Sequence, residues 1–480
     1  MNGEVDRNSG MKRVLGRWDI LVISFGAMIG WGWVVSSGGW ILKGGIVGAA
    51  IGFVGGGLMI LFVGLTYAEL TTAMPNCGGE HIFSIRALGA KPSFVCTWCI
   101  ILGYVSVVCF ESCTLPLIFQ YIYPDFFQIY LYTIGEFDVY ATWLISSALV
   151  AFCLMYINIR DTKITARVQA VFTIVIMVVE VLMMAGALFN GSADNVSGFM
   201  FKEDGGIWRA TFLVAMVTPF FFIGFDVIPQ AAGETNIPAK KIGRIILLSI
   251  VIAIAFYVLI VLSVGAVLGY DGIMASDSSS SITTADAMTR AFNSKAMSKV
   301  ALIGGLCGII TSWNAFMIGG SRAMFSMARY NMIPPVIGKL GKHHTPVNAL
   351  FIIGLLAALS PMLGRKALVW MVDAGNLACC IAYFIVALSF LVLRRKEPDL
   401  ERPYKIKYPK IVGYVALALT FVFITMYIIP GTGATLVVEE RLLFGGWSLF
   451  GIILCTYSML KYGKKFGKYN ANIEYDIDED

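Results

Sequence analysis

Gly26-Ala-Met-Ile-Gly30-Trp31-Gly32-Trp33 lies inside the first apolar run of the chain, and Thr218-Pro219-Phe-Phe-Phe-Ile223-Gly224-Phe-Asp226-Val-Ile-Pro229 lies inside the sixth. Each glycine weakens a helix by about 1 kcal/mol relative to alanine. In the second stretch two prolines flank a glycine and an acid, and Pro229 removes a helical hydrogen bond. Met28-Ile29-Gly30-Trp31-Gly32 superposes on Phe222-Ile223-Gly224-Phe225-Asp226, both reading apolar-Ile-Gly-aromatic. The pair predicts two helices broken at matching points, with Gly26, Pro219 and Pro229 as the breakers.

Working outward, the surroundings of both stretches are apolar. Of 480 residues, 58% are hydrophobic and 14% charged, against roughly 45–50% and 25% in soluble domains. Too little polar surface remains to coat a water-soluble globule, which excludes a cytosolic enzyme. Continuous runs such as IVIAIAFYVLIVLSVGAVL exclude the alternating strands of an outer-membrane barrel. The first run is too long for the core of a cleaved signal peptide and reads as a retained span. Runs of about 20 apolar residues are spanning helices. They fall near 19–42, 44–73, 92–121, 139–159, 166–189, 210–232, 242–270, 299–328, 346–364, 367–393, 410–430 and 441–461, numbered here as spans one to twelve. The runs at 92–121 and 299–328 are long enough to tilt or extend beyond the bilayer.

Cytoplasmic loops collect Lys and Arg. With the N-terminus inside, 27 of the 36 basic residues fall on the inner side, so both termini are expected in the cytoplasm, in a plasma (cell inner) membrane. The net charge of +6 is distributed between apolar runs and gives no reason to expect nucleic acid. The long outer stretch 271–298 is expected to carry a short helix, and the end of the chain, 464–480, is an acidic cytoplasmic tail. Asn190 and Asn195 stand in glycosylation-type triplets that read as chance in a polar loop. Nearly all ten cysteines sit in apolar runs. Cys96-x-x-Cys99 has no second pair or nearby histidine, and reads as packing rather than metal or redox chemistry.

Backbone freed from helical pairing at mid-membrane persists only where it lines a protected or watery cavity. Interrupted segments at corresponding positions of two halves point to a transporter site. Half-helix amino ends offer N–H groups to an anion such as a carboxylate, and carboxyl ends offer carbonyls to an ammonium. An amino acid zwitterion matches both.

At these residues the chain resembles the amino acid–polyamine–organocation (APC) superfamily of permeases. The resemblance runs from about Arg17 to Lys410 and rests on several segments in order. They are GAMIGWGW in span one; Tyr67-Ala-Glu69-Leu and Met74-Pro75-x-x-Gly78-Gly79-Glu80; FFFIGFD with Gly233-Glu234-x-Asn236-x-Pro238; Ser321-Arg322-x-Met-Phe-x-Met-Ala-Arg329 with Thr345-Pro346-Val; and Leu393-Arg394-x-Lys396-x-Pro398-Asp399-Leu400-x-Arg402-Pro403. It implies an all-α polytopic membrane protein of twelve transmembrane helices, with a LeuT-like five-plus-five inverted repeat and two further helices. The corresponding segments are 1–17, a cytoplasmic start; 18–190 and 208–396, the two repeats; 409–463, spans eleven and twelve; and 464–480, the tail.

The resemblance also implies a carboxylate site at the backbone of Ile29, Gly30, Trp31 and Gly32. It implies an ammonium site at the carbonyls around Phe220, Phe221, Ile223 and Gly224, with Phe220 as an aromatic gate and Trp313 as a wall or gate. Relatives often carry a small residue where this chain has Trp31, so a small pocket or reliance on backbone contacts is expected. Some proton-coupled relatives carry a lysine midway along span five. The stretch Thr173-Ile-Val-Ile-Met-Val-Val-Glu180 has none.

Charged groups inside spans are functional hypotheses by default. Asp226 is the expected proton-linked acid, with a structural role in tying freed N–H groups as the alternative. Glu111 and Glu180 carry the same two readings. Glu69, Glu80 and Arg86 are expected to form an inner gate network. Thr311 and Ser312 could complete a sodium site with span-one carbonyls, or bond back to their own helix. His343 and His344 read as loop residues. The expected function is secondary active transport of a small amino acid by alternating access, as proton symport, with sodium as the alternative ion. The rival readings are an amine, polyamine or amino acid exchanger (an antiporter) and a transporter-fold nutrient sensor. No cofactor, resident metal or enzymatic nucleophile is expected, and the partners are an amino acid or amine, a proton and the lipid bilayer.

Overall fold

The computed structural model describes residues 10–134, 137–160, 162–202, 206–278, 282–364 and 367–470. Most of the acidic tail and the first nine residues lie outside these, as do Arg365 and Lys366. The chain is an all-α multi-pass membrane protein. Among the described residues, eleven helices are long and apolar enough to cross a membrane. The ninth predicted span is instead the shorter Val347–Leu363, where α-helix gives way to a 3-10 turn at Ser360–Leu363 that contains Pro361. That element falls on the ninth expected span, 346–364, and its last turn tightens because proline cannot donate a backbone hydrogen bond.

Span one is Arg17–Met28 followed by two short helices, Gly32–Val35 and Ser37–Gly44, so the expected interruption falls between Met28 and Gly32. Span six is Ile207–Phe222 followed by Val227–Gln230. The others run Ile46–Ala73, Ala90–Ile122, Ala141–Arg160, Thr162–Asn190, Ala239–Ser278, Lys295–Arg329, Ala367–Lys396, Pro409–Ile428 and Val438–Tyr462. At 33 and 35 residues, spans three and eight reach about 50 Å at 1.5 Å per residue, well beyond the bilayer core. Span seven bends at Gly269, whose φ of +64° few side chains tolerate.

Spans three and eight are the most enclosed and span twelve the least. Span two packs on span seven, span three on span eight and span four on span nine. Each of these elements therefore touches its counterpart from the other half. The outward faces of spans four, five and twelve expose Ile145, Leu149, Phe152, Val171, Ile174, Val178, Leu449 and Ile453. Water does not tolerate such continuous apolar stripes, but hydrocarbon does.

Smaller elements cover the ends. The expected short helix is Thr283–Phe292. Its Thr284 hydroxyl donates to the Trp33 carbonyl at 3.0 Å and lies 2.9 Å from the Ser37 hydroxyl, fastening it to span one. A hairpin, Tyr130–Ile134 paired antiparallel with Phe137–Tyr140, was not foreseen. It rests on Trp143 and Cys113 through Phe127, Phe137 and Tyr140. On the opposite end, Val14 and Leu15 lie beside 234–236, with the Leu15 amide donating to the Glu234 carbonyl at 3.0 Å.

Candidate functional site

The two breaks meet. In span one, helix stops at Met28, and Ile29 leaves it at φ −110°, ψ 76°. In span six, Ile223 is extended and Gly224 has φ +134°. A β-carbon on Gly224 would lie 2.7 Å from the Ala27 β-carbon and 2.9 Å from the Met28 amide nitrogen. Only glycine lets these backbones approach so closely while adopting that conformation. Asp226 holds the break: its Oδ1 accepts the Gly224 N–H at 2.8 Å and its Oδ2 accepts the Tyr383 hydroxyl at 3.1 Å. Both oxygens are engaged, which is the geometry of a clamp on freed backbone.

Beside the crossing lies a cavity of about 20 Å³, room for about one water. Gly30, Gly32, Phe220, Phe221 and Ser312 line it, as do Ala27, Met28, Val107, Phe110, Glu111, Tyr257 and Phe316. Val107, Phe110 and Glu111 are one face of span three, and Ser312 and Phe316 one face of span eight. The Phe221 ring lies on Gly32, where a β-carbon would come 2.8 Å from Cδ1. Rings from Trp40, Phe53, Phe220 and Tyr257 surround Phe221 edge-on or tilted. The Tyr257 hydroxyl donates to the Met28 carbonyl at 2.7 Å, taking one acceptor that the break releases.

Glu111 is 1% exposed. Its Oε1 faces the Trp31 N–H at 3.4 Å, a long hydrogen bond, while Oε2 is buried with no hydrogen-bond partner among the described residues. A β-carbon on Gly30 would collide with Glu111 Oε1 and lie 3.2 Å from Ser312 Oγ.

Several expected site residues fall elsewhere. The Trp31 indole points away from the cavity, onto Gly305 of span eight, where a β-carbon would meet its Cε3 at 2.6 Å. Its bulk therefore does not shrink the pocket, and only its amide faces the site. Trp313 is buried in the core and is not part of the cavity wall, because one residue beyond Ser312 turns about 100° around the helix. Ile29, Ile223 and Gly224 shape the breaks without lining the cavity. The Phe220 carbonyl accepts the Ile223 N–H at 3.3 Å. Tyr257 and Phe316 were missed; a tyrosine at mid-membrane needs a partner for its hydroxyl, and that was the available signal.

At the candidate sodium position, Thr311 Oγ1 donates to its own helix at the Gly308 carbonyl (3.0 Å). The Gln169 amide nitrogen donates to the Thr311 carbonyl at 3.0 Å, and Gln169 Oε1 accepts from Asn314 at 2.9 Å. A β-carbon on Gly26 would meet Gln169 Nε2 and Thr173 Oγ1, each at 2.7 Å. Donors thus occupy the space between spans one, five and eight.

Ion pairs close the end of the bundle where span two finishes and span ten finishes. Glu69 takes Arg394 at 2.5 Å and Arg402 at 3.2 Å, joining span two to span ten and its following loop. Arg322 and Glu234, both almost fully buried, pair at 2.8 Å. Glu80 accepts from Gln230. Arg86 pairs with Glu397 at 2.6 Å rather than joining Glu69, and that arginine holds the Glu397 carboxyl below its ordinary range.

The amino acid permease family profile matches residues 15–454. The chain is 27% identical over 478 residues to the branched-chain amino acid permease BcaP of Bacillus subtilis, covering 96% of this chain and 95% of that protein. It is 24% identical to the lysine-specific permease LysP of Escherichia coli, covering 96% of each. It is 25% identical to the aspartate-proton symporter of Bacillus subtilis, covering 89% of this chain and 81% of that one. With two broken helices crossing at a small buried cavity and a family match over nearly its whole length, this chain belongs to the amino acid permease family.

Proposed function

We propose that this amino acid transporter moves a small apolar amino acid by proton symport across the plasma membrane, with both termini in the cytoplasm. The observation that carries this is the cavity at the crossing of the two breaks. Apart from Glu111, Ser312 and the Tyr257 hydroxyl its wall is glycine, aromatic ring and apolar side chain, which suits an apolar side chain and offers no further charge for a charged one. The substrate carboxylate is assigned to the backbone of Gly30, Trp31 and Gly32, and the ammonium to carbonyls released around Phe220, Phe221 and Ile223. Relatives named for branched-chain amino acids and for aspartate–proton symport support the substrate class and the driving ion.

Residues 18–190 and 208–396 act as the two repeats, one rocking against the other around the crossing. Spans eleven and twelve pack on the outside of span ten. The acids next to the breaks are Asp226 and Glu111, and the proton passes through a carboxyl of this pair. The Gln169 amide between spans one, five and eight supports a mechanism independent of sodium.

The test is uptake into proteoliposomes of the twenty labelled amino acids, with and without an inward pH gradient and with sodium replaced by choline. Concentrative uptake of an apolar amino acid, driven by pH and indifferent to sodium, is expected. Uptake of none, or only under a sodium gradient, overturns the reading.

A further inference from the structure

We propose that Glu111 is the residue that couples proton to amino acid. Its carboxylate holds the substrate-carboxylate position in the empty carrier and takes up the proton when an amino acid arrives. This rests on the symport reading above.

The geometry is a competition for one place. Glu111 reaches from span three across the cavity to the amide that the break in span one exposes at Trp31. Its Oε1 occupies the space in front of Gly30, the very glycine assigned to substrate carboxylate. Its Oε2 is buried with no hydrogen-bond partner among the described residues, although the acid is 1% exposed. The Trp31 N–H supports the ionised form, and once the substrate carboxylate takes that donor, a carboxylate without donors in an aromatic cavity is costly. Two carboxylates brought to one such place cannot both stay ionised, and they share a proton. The amino acid therefore enters with one proton from the water outside. That proton forms an O–H bond on Glu111, and the neutral acid donates to the substrate carboxylate or to Ser312 Oγ beside it. On release of substrate to the other side, Glu111 loses the proton there and returns to the Trp31 amide.

Other titratable groups on the elements around span three have their own places. Asp226 is bonded to Gly224 and Tyr383. In the cavity wall itself, Tyr257 is the other ionisable group, and its proton is donated to the Met28 carbonyl. Glu80 and His81 on the helix preceding span three contact Gln230 and Ser326. At the end of span eight, Arg322 pairs with Glu234, and Arg394 at the end of span ten pairs with Glu69. Asp373 and Glu440 share a separate pocket with Lys43 and Arg209. Glu180 on span five is buried with both oxygens unpartnered among the described residues, but it does not line the cavity.

The experiment uses the full-length protein. Wild type is screened with the twenty amino acids and putrescine. Proton uptake on binding is read by calorimetry in buffers of different ionisation enthalpy, and accumulation is read in proteoliposomes. Wild type should take up one proton per amino acid bound and accumulate it about tenfold per unit of pH gradient. Glu111→Gln should still bind and exchange amino acid, with no proton uptake and no pH-driven accumulation. Glu111→Asp should keep proton uptake with a displaced pH profile, which keeps the idea testable if the glutamine variant fails to fold. Glu180→Gln, away from the cavity wall, should retain one proton per substrate. Failure of wild type to carry any amino acid sinks the symport reading itself. A wild type that transports while Glu111→Gln still accumulates, or a wild type that binds without proton uptake, overturns only the role of Glu111. Binding of putrescine that Glu111→Gln abolishes also overturns it, making Glu111 an ammonium partner.

Discussion

Gly224 of span six touches Ala27 of span one. Its φ is +134°, and a β-carbon there would stand 2.7 Å from the Ala27 β-carbon. The contact is where the two interrupted helices cross, so it fixes the distance between the halves of the site. A side chain at Gly224 would strain the backbone by about 1–2 kcal/mol and overpack the crossing by about 1–3 kcal/mol. Gly224→Ala should therefore abolish transport and lower the thermal midpoint of the detergent-solubilised protein. Wild-type uptake by this variant would remove the crossing from the mechanism.

Gly30 and Gly32 leave room for Glu111 and Phe221 respectively. Leucine at either position drives a branched side chain into the cavity. Substrate affinity should fall by about 10- to 100-fold, the equivalent of the cost of overpacking, with normal membrane insertion. Binding by scintillation proximity, beside a size-exclusion profile to show that the variant is folded, checks this. Unchanged affinity in both variants would discard the backbone site.

Gln169 links span five to span eight through the Thr311 carbonyl. A donor already fills the place where a cation would need acceptors. Uptake in sodium-free medium should match uptake in sodium, whereas Gln169→Ala should weaken the contact and slow transport. A steep sodium dependence of the wild type would show that Thr311 and Ser312 hold an ion after all.

The Arg322–Glu234 pair, with side chains 1% and 2% exposed, clasps the end of span six to span eight. Removing one partner of a buried ion pair costs about 3–5 kcal/mol. Glu234→Gln should loosen that end of the carrier, seen as faster modification of cysteines placed along the half of span six nearest the pair. Modification at the wild-type rate would mean that the pair does not latch the carrier.

His81 lies outside the spans, buried and within 2.8 Å of Ser326 Oγ. Burial pushes its pKa down from the ordinary 6.5 to about 3. The folded state holds it neutral, so its share of stability is complete above pH 6.5. It is lost as pH falls toward 3, because only the unfolded chain takes the proton in that window. The slope is about 1.4 kcal/mol per pH unit. His81→Gln should flatten the drop in thermal stability between pH 6.5 and 5, and an equal drop in both proteins would contradict the assignment.

Much of the fold was legible in the residues. Span positions follow from apolar runs, because hydrocarbon demands about 20 such residues for each crossing. The breaks were legible at Gly30 and Gly224, which act on the backbone locally, but the expected breakers Gly26, Pro219 and Pro229 lie inside Arg17–Met28, Ile207–Phe222 and Val227–Gln230, and the chain leaves the helix between Met28 and Gly32 and between Phe222 and Val227 instead. The change of helix type within span nine was less visible: Ser360 and Pro361 end the α-helix inside an apolar run, and hydropathy does not register such a change. The hairpin at 130–140 was hidden among loop residues, since its support comes from Trp143 and Cys113 on other elements.

The sequence by itself determined the class, the number of apolar elements and the two interruptions, because composition and backbone chemistry act over a few residues at a time. Only the tertiary structure decided which side chains share the cavity. It turned the Trp31 indole onto Gly305 and Trp313 into the core, gave the second oxygen of Asp226 to Tyr383, and brought Glu111 from 80 residues away to the Trp31 amide. Such meetings depend on how whole helices rotate and pack against one another, which no local pattern encodes.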